Sequence, residues 1–331
     1  MARTWASAKQ WPEALDWLSR AAALKAGLDP SRDSMFSELR GTAEFEAVLR
    51  SVRQATPEVT HSRLTFTVQE VGLVPESVAY DPNRKSFYFG SMRKGKIVRC
   101  SNTGDCVEFS GGLGEVLGLK VYGGGLWALN NGAKESALIQ YDLASGRLVR
   151  RYPAPGTGHI FNDLVFASSG ELYLSDTSAG LVWRLAKGGA ELKPLPGKFE
   201  QANGIAVSSN GRFLYVSCFP DGIHVVDLTS NRSRPIGRPK ELCLATIDGL
   251  YSYRNSLIAI QNAIMTPRVV RFYLTGDRAG IERFEVLERR NPGFDGITTG
   301  VVVGDDFYFM ANIQDDKAAG FNPIRILRIR L

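Results

Sequence analysis

The chain predicts an all-β fold, a six-bladed β-propeller preceded by a short α-helical extension. Three observations carry this reading. From Leu64 onward, short β-rich runs alternate with Gly, Asn, Asp and Ser turns. One unit, a small-residue strand followed by a polar turn and an aromatic-rich strand, returns with starts at 76, 117, 162, 203, 248 and 299, spaced 41, 45, 41, 45 and 51 apart. A period in the forties with several strands per unit marks propeller blades. The last unit also holds only three strands of its own, Gly300–Val303, Asp306–Ala311 and Ile324–Leu331, while a spare strand, Leu64–Val71, precedes the first. Pairing the spare strand with the last would close the ring and remove its open edge.

Residues 1–56 read differently. Trp11, Ala14, Leu15, Leu18, Ala21 and Ala22 recur at helical spacing until Gly27 and Pro30 stop them, and Phe36, Leu39, Phe45, Val48, Leu49 and Val52 form a second helical stretch. Gln10 to Leu18 resembles the second helix of a tetratricopeptide repeat, and Phe36 to Leu49 resembles the end of such an array. About fifty residues bury too little apolar surface to offset their chain entropy alone. The extension is therefore expected to dock on the propeller or stay mobile, and its helices offer a surface for a protein partner. Thr56–Thr60 reads as the linker to the propeller, which occupies 64–331.

The six units follow in order. They run from Pro75–Tyr80 with Ser86–Gly90, through Leu117–Val121 with Gly125–Leu129, to Asn162–Phe166 with Glu171–Asp176. Then come Asn203–Val207 with Phe213–Ser217, Asp248–Ser252 with Ser256–Ile260, and Thr299–Val303 with Asp306–Met310. Cys100 and Cys106 flank the turn Ser101–Asp105 and read as two ordinary thiols, a cross-hairpin disulfide being the alternative.

Composition excludes several function classes. The chain is 44% apolar and 22% charged with a formal charge of +6, but its basic residues are scattered singly, so a nucleic-acid partner is not expected. No apolar run approaches the ~20 residues that span a bilayer, and the N-terminus lacks signal-peptide order. A cytoplasmic location, or a periplasmic one after removal of an export signal, fits equally. No Gly-x-Ser-x-Gly elbow is present, and Gly112, Gly114 and Gly118 lack dinucleotide spacing.

The chemistry concentrates where each unit enters its innermost strand. Four of those positions carry side-chain oxygens: Glu76, Asn162, Asn203 and Asp248. Rotational repetition brings equivalent positions to one point on the axis. Two carboxylates and two amide carbonyls make a hard oxygen set suited to Ca²⁺ or another divalent cation. Taken singly, Asn203-Gly204 is an ordinary turn pair and Asp248 an ordinary cap. His159 lies on the loop leading to Asn162 and is the best-placed proton shuttle of the three histidines, the alternative being an exposed loop residue.

The order Glu76, Asn162-Asp163, Asn203-Gly204, Asp248-Gly249 resembles the senescence marker protein/gluconolactonase/luciferin-regenerating family, and is similar to the calcium-dependent phosphotriesterase and paraoxonase propellers. The resemblance covers roughly Val71 to Leu331. It implies that Glu76, Asn203 and Asp248 hold a divalent metal and that Asn162 ligates it or contacts substrate. The family's Glu-Gly-Pro-aromatic tract is Glu76-Ser77-Val78-Ala79 here, which keeps the metal residue and changes the substrate wall. A metal in the channel would polarise a small-molecule lactone or ester for hydrolysis, with Asp248 as base toward the metal-bound water if it reaches both metal and substrate. A second reading is a non-catalytic, metal-binding propeller that recognises a ligand or protein.

Overall fold

The computed structural model describes residues 1–24, 27–219, 221–263, 265–314 and 322–331. Six antiparallel sheets of four strands each are arranged as blades, and the first three strands of each follow one another in sequence. Their innermost strands are Pro75–Asp81, Glu115–Tyr122, Phe161–Phe166, Ala202–Val207, Ile247–Tyr253 and Gly300–Val303, numbered here as blades one to six. The outermost strand of blade six is Arg63–Val68, which pairs antiparallel with Ile324–Arg330. The ring closes as the spare strand foretold.

The apolar runs are nearly continuous because each blade is buried on both faces. Alternate side chains of a strand point to opposite sides of its sheet. In Ser86–Ser91 of blade one, Phe87 and Phe89 join a cluster with Phe66, Ile324 and Ile326 of blade six. Tyr88, between them, joins one with Val116, Leu126 and Ile139 of blade two. The other neighbouring blades share clusters of the same kind, so the core is a ring of layers between blades.

Three helices precede the ring: α1 (Ala2–Ser7), α2 (Trp11–Ala23) and α3 (Ala43–Ala55). In α3 the Thr42 hydroxyl accepts the Phe45 N–H, and Phe45, Val48, Leu49 and Val52 make the buried stripe. The second helical stretch is shorter than its pattern implied. Ser34–Leu39 is a 3₁₀ turn, and Gly41, at φ +85°, separates it from α3. The helices build a cluster of their own around Ala14, Leu18, Phe36 and Phe45. They meet blade five through backbone bridges of Leu28 with Met265 and Val59 with Arg289. Arg290 reaches Asp29 at 3.2 Å, and the fully buried Glu288 carboxylate accepts the His61 and Ser62 N–H groups at 2.9 Å each. No helix among the described residues is long and apolar enough to cross a membrane.

The cysteine expectation is corrected. Cys100 and Cys106 are direct cross-strand partners in the outer hairpin of blade one, and a disulfide joins them. The five-residue turn sets the register that brings the two residues opposite each other.

Candidate functional site

The innermost strands enter the ring through a repeated backbone device. The pairing of the first and second strands shifts register between Pro75 and Ser77, Phe161 and Leu164, Ala202 and Ile205, and Ile247 and Leu250. Each shift is a bulge, which re-aims a side chain out of the pleat. Glu76, Asn162, Asn203 and Asp248 all lie inside these bulges. Two residues upstream of three of them stand non-glycine residues in the left-handed region: Val74, Gln201 and Thr246, at φ 44°, 48° and 54°. Such φ values are costly for β-branched side chains and cluster where geometry serves a site.

These four residues line one cavity of about 170 Å³, together with Lys120, Asp163, Tyr251, Thr298 and Thr299. All six innermost strands or their approaches contribute to its wall. Asn203 Nδ2 donates to Asp248 Oδ1 at 3.0 Å, and Asn262 Nδ2 donates to Asp248 Oδ2 at 2.7 Å and to the Ile297 carbonyl at 2.9 Å. Asn162 Nδ2 donates to Thr177 Oγ1 at 3.0 Å, and that hydroxyl donates to the Ala202 carbonyl at 2.6 Å. Each amide thus spends its N–H on the frame and keeps its oxygen as an acceptor.

Burial dominates the electrostatics. The Glu76 carboxyl is pushed up to about 8, first by desolvation and then by the Asp248 charge, with the Thr298 hydroxyl pulling the other way. Asp248 is pushed up to about 6, because desolvation outweighs the N–H groups of Asn262 and Asn203. Asp163 is also raised by burial, against the opposing charge of Lys120 and N–H donation from Ile205 and Leu164. Two neighbouring carboxylates, neither of them ion-paired among the described residues, are an unfavourable arrangement in a low-dielectric cavity.

The donor set fits a hard cation. Carboxylate and amide oxygens converge, Glu76 and Asp248 have no cationic partner within salt-bridge distance among the described residues, and the buried Thr298 Oγ1 makes no hydrogen bond of ordinary geometry. Among the described residues no three His, Cys, Asp or Glu side chains form a cage, so amides would have to complete the shell.

His159 is placed elsewhere. It does not line the cavity; its Nδ1 meets Asp176 Oδ2 at 2.6 Å and its Nε2 meets the Pro155 carbonyl at 3.2 Å. The Trp183 indole N–H donates to the same Asp176 oxygen at 3.0 Å, and the histidine ring packs against Trp183. Asn262 and Lys120 were not singled out by sequence. One signal was available for Asn262: polar residues at or just beyond the ends of second strands hold the next blade, as Asn131 does Phe161 and Thr177 does Ala202.

Gly204 is not a turn residue. It sits within its strand, where an added Cβ would lie 2.6 Å from the Asp248 carbonyl and 2.7 Å from the Leu250 nitrogen. Gly204→Ala is expected to push blades four and five apart and cost roughly 1–3 kcal/mol, read by chemical denaturation. A neutral outcome would show that the blades do not pack this closely.

No family model and no curated protein sequence matches the chain. Among solved structures it is similar to a gluconolactonase from Xanthomonas campestris, at 17% identity and TM-score 0.61, over 82% of this chain and 94% of that one. It is also similar to regucalcin from Agrobacterium tumefaciens, described as a calcium-binding protein, at 15% identity and TM-score 0.60 over 80% and 93%. The aldose sugar dehydrogenase of Streptomyces coelicolor, in its PQQ-bound form, aligns at 16% identity and TM-score 0.60 over 83% and 99%. The chain shares their propeller fold. These neighbours differ in chemistry, so at such identities the fold does not choose among activities. The tetratricopeptide likeness of the first fifty residues finds no support in these comparisons.

Proposed function

We propose that the chain is a divalent-metal-dependent hydrolase of a lactone or ester, with calcium as the cation. The observation that carries this reading is the convergence of Glu76, Asn162, Asn203 and Asp248 in one cavity, where the two carboxylates feel each other's charge and, among the described residues, neither has an ion-pair partner. The calcium-binding regucalcin and the gluconolactonase among the structural neighbours support it at the level of fold.

Glu76, Asn203 and Asp248 would hold the cation, with Asn162 completing the shell or meeting substrate. When bound, the cation supplies Lewis acidity toward a carbonyl oxygen. Asp248 serves as general base, its oxygens oriented by Asn203 and Asn262, which limits it to one geometry toward an attacking water. Asn162 is held by Thr177 with its oxygen free to accept from a substrate hydroxyl.

A panel of lactones and aryl esters, assayed with calcium and with chelator, tests the reading. Turnover with calcium that falls at least about a hundredfold with chelator is expected. Asn162→Ala should lower kcat more than it lowers calcium affinity. A second reading, a non-catalytic metal-binding propeller, is favoured by one observation: both ring nitrogens of His159 are engaged, which leaves no histidine for proton transfer in the cavity. Calcium-dependent stabilisation without turnover of any panel member would select it.

A further inference from the structure

A second cavity, of about 440 Å³, is lined by the later halves of the same innermost strands that enclose the first. Lys120 and Tyr251 line both cavities and so stand between them. The larger cavity differs in chemistry from the smaller. Its wall is largely apolar, with Val121, Val165, Phe166, Ile205 and Val302; Tyr80, Tyr251 and Ser252 add hydroxyls, and Lys120 is the charged side chain among its lining residues. Several of these apolar groups remain partly exposed, and Tyr122 stacks on Phe166 with ring centroids 3.9 Å apart. A largely apolar concavity of this size with one cationic group and a few hydroxyls has the form of a ligand pocket, which commonly runs to roughly 300–1,000 Å³.

The Lys120 ammonium has no carboxylate within salt-bridge distance among the described residues. It lies 5.8 Å from the centroid of the Tyr251 ring. Asp163, the carboxylate whose charge it feels, is instead bonded by the Ile205 and Leu164 N–H groups at 3.1 and 2.8 Å. We propose that the larger cavity binds a small monocarboxylic acid, its carboxylate on Lys120 and its apolar body against the valine and phenylalanine wall. A monoanion fits better than a dianion, because one ammonium must balance the ligand close to Asp163. This site shares Lys120 and Tyr251 with the carboxylate cavity but lies on their other side, and it does not require calcium.

Octanoate is the probe, titrated calorimetrically into the full chain with chelator and again with saturating calcium. Saturable binding is expected in both, with octylamine at least tenfold weaker. Lys120→Met should weaken octanoate at least tenfold, since a charged hydrogen bond is lost. Val303 lines only the larger cavity and belongs to none of the blade clusters, so Val303→Trp should abolish binding without unfolding the ring, as checked by circular dichroism. Octylamine binding as well as octanoate overturns the proposal. So does octanoate binding that persists in Val303→Trp, or that calcium eliminates, which would place the ligand in the smaller cavity.

Discussion

Asp248→Asn is expected to lower calcium affinity at least about a hundredfold and to reduce lactone or ester turnover to background. The substitution removes one of the carboxylate charges that line the cavity and the proposed base. Its effect reaches further than charge. Asp248 accepts two N–H donors, Asn203 on one oxygen and Asn262 on the other. A carboxamide accepts through its oxygen alone, so its own N–H₂ would face one of those donors. An unpaired buried donor costs roughly 1–3 kcal/mol. The variant therefore disturbs Asn203, itself a proposed ligand. Isothermal titration with calcium at pH 8, alongside the ester assay, checks the outcome. Wild-type affinity in Asp248→Asn would remove the metal reading, whatever the assay shows. Asn262→Ala separates positioning from ligation: it should lower kcat about tenfold or more while calcium affinity changes less.

Much of this arrangement was legible in the sequence because rotation about an axis turns a linear period into convergence in space. The positions 76, 162, 203 and 248 share a place in the repeat, and the structure brings all four to one cavity. The device that turns them inward was not legible. A bulge is a mismatch between two strands, and neither strand shows it alone. The left-handed Val74 and Thr246 are residues that single-sequence rules place in ordinary strand. Asn262 escaped notice because its role depends on Asp248 and on the Ile297 carbonyl, 35 residues further on. His159 shows the opposite error. Proximity in sequence to Asn162 suggested the channel, but Asp176 and Trp183, contributed by neighbouring strands of blade three, hold the ring away from it. Lys120 read as a strand residue among many, since nothing local reveals that it faces the axis between two cavities.

The stability of the calcium-free protein is expected to fall as pH rises from about 4.5 to 8, and calcium should cancel most of that fall. The sign follows from linkage. The Glu76 carboxyl stands at about 8 in the fold against 4.5 as an ordinary value, and Asp248 at about 6 against 3.8. Between those limits the native state holds more protons than the unfolded chain, so raising the pH favours unfolding. The contribution is fully present below about 4 and is lost as each group ionises in the fold. A cation bound between the carboxylates reverses the preference, because it stabilises their charged forms and releases the protons. Binding to the native state alone adds RT ln(1 + [L]/Kd), about 2.7 kcal/mol at a hundredfold excess over Kd. The melting temperature should therefore rise by several degrees on adding calcium at pH 8, and by much less at pH 5, where protons compete. Glu76→Gln, in which no proton can be lost, should flatten the calcium-free profile and weaken the calcium response together. Melting curves with chelator and with calcium from pH 5 to pH 8, for wild type and Glu76→Gln, decide the matter. A calcium shift of equal size at both ends of that range, or a Glu76→Gln profile parallel to wild type, would mean that this carboxylate pair is not where the cation binds.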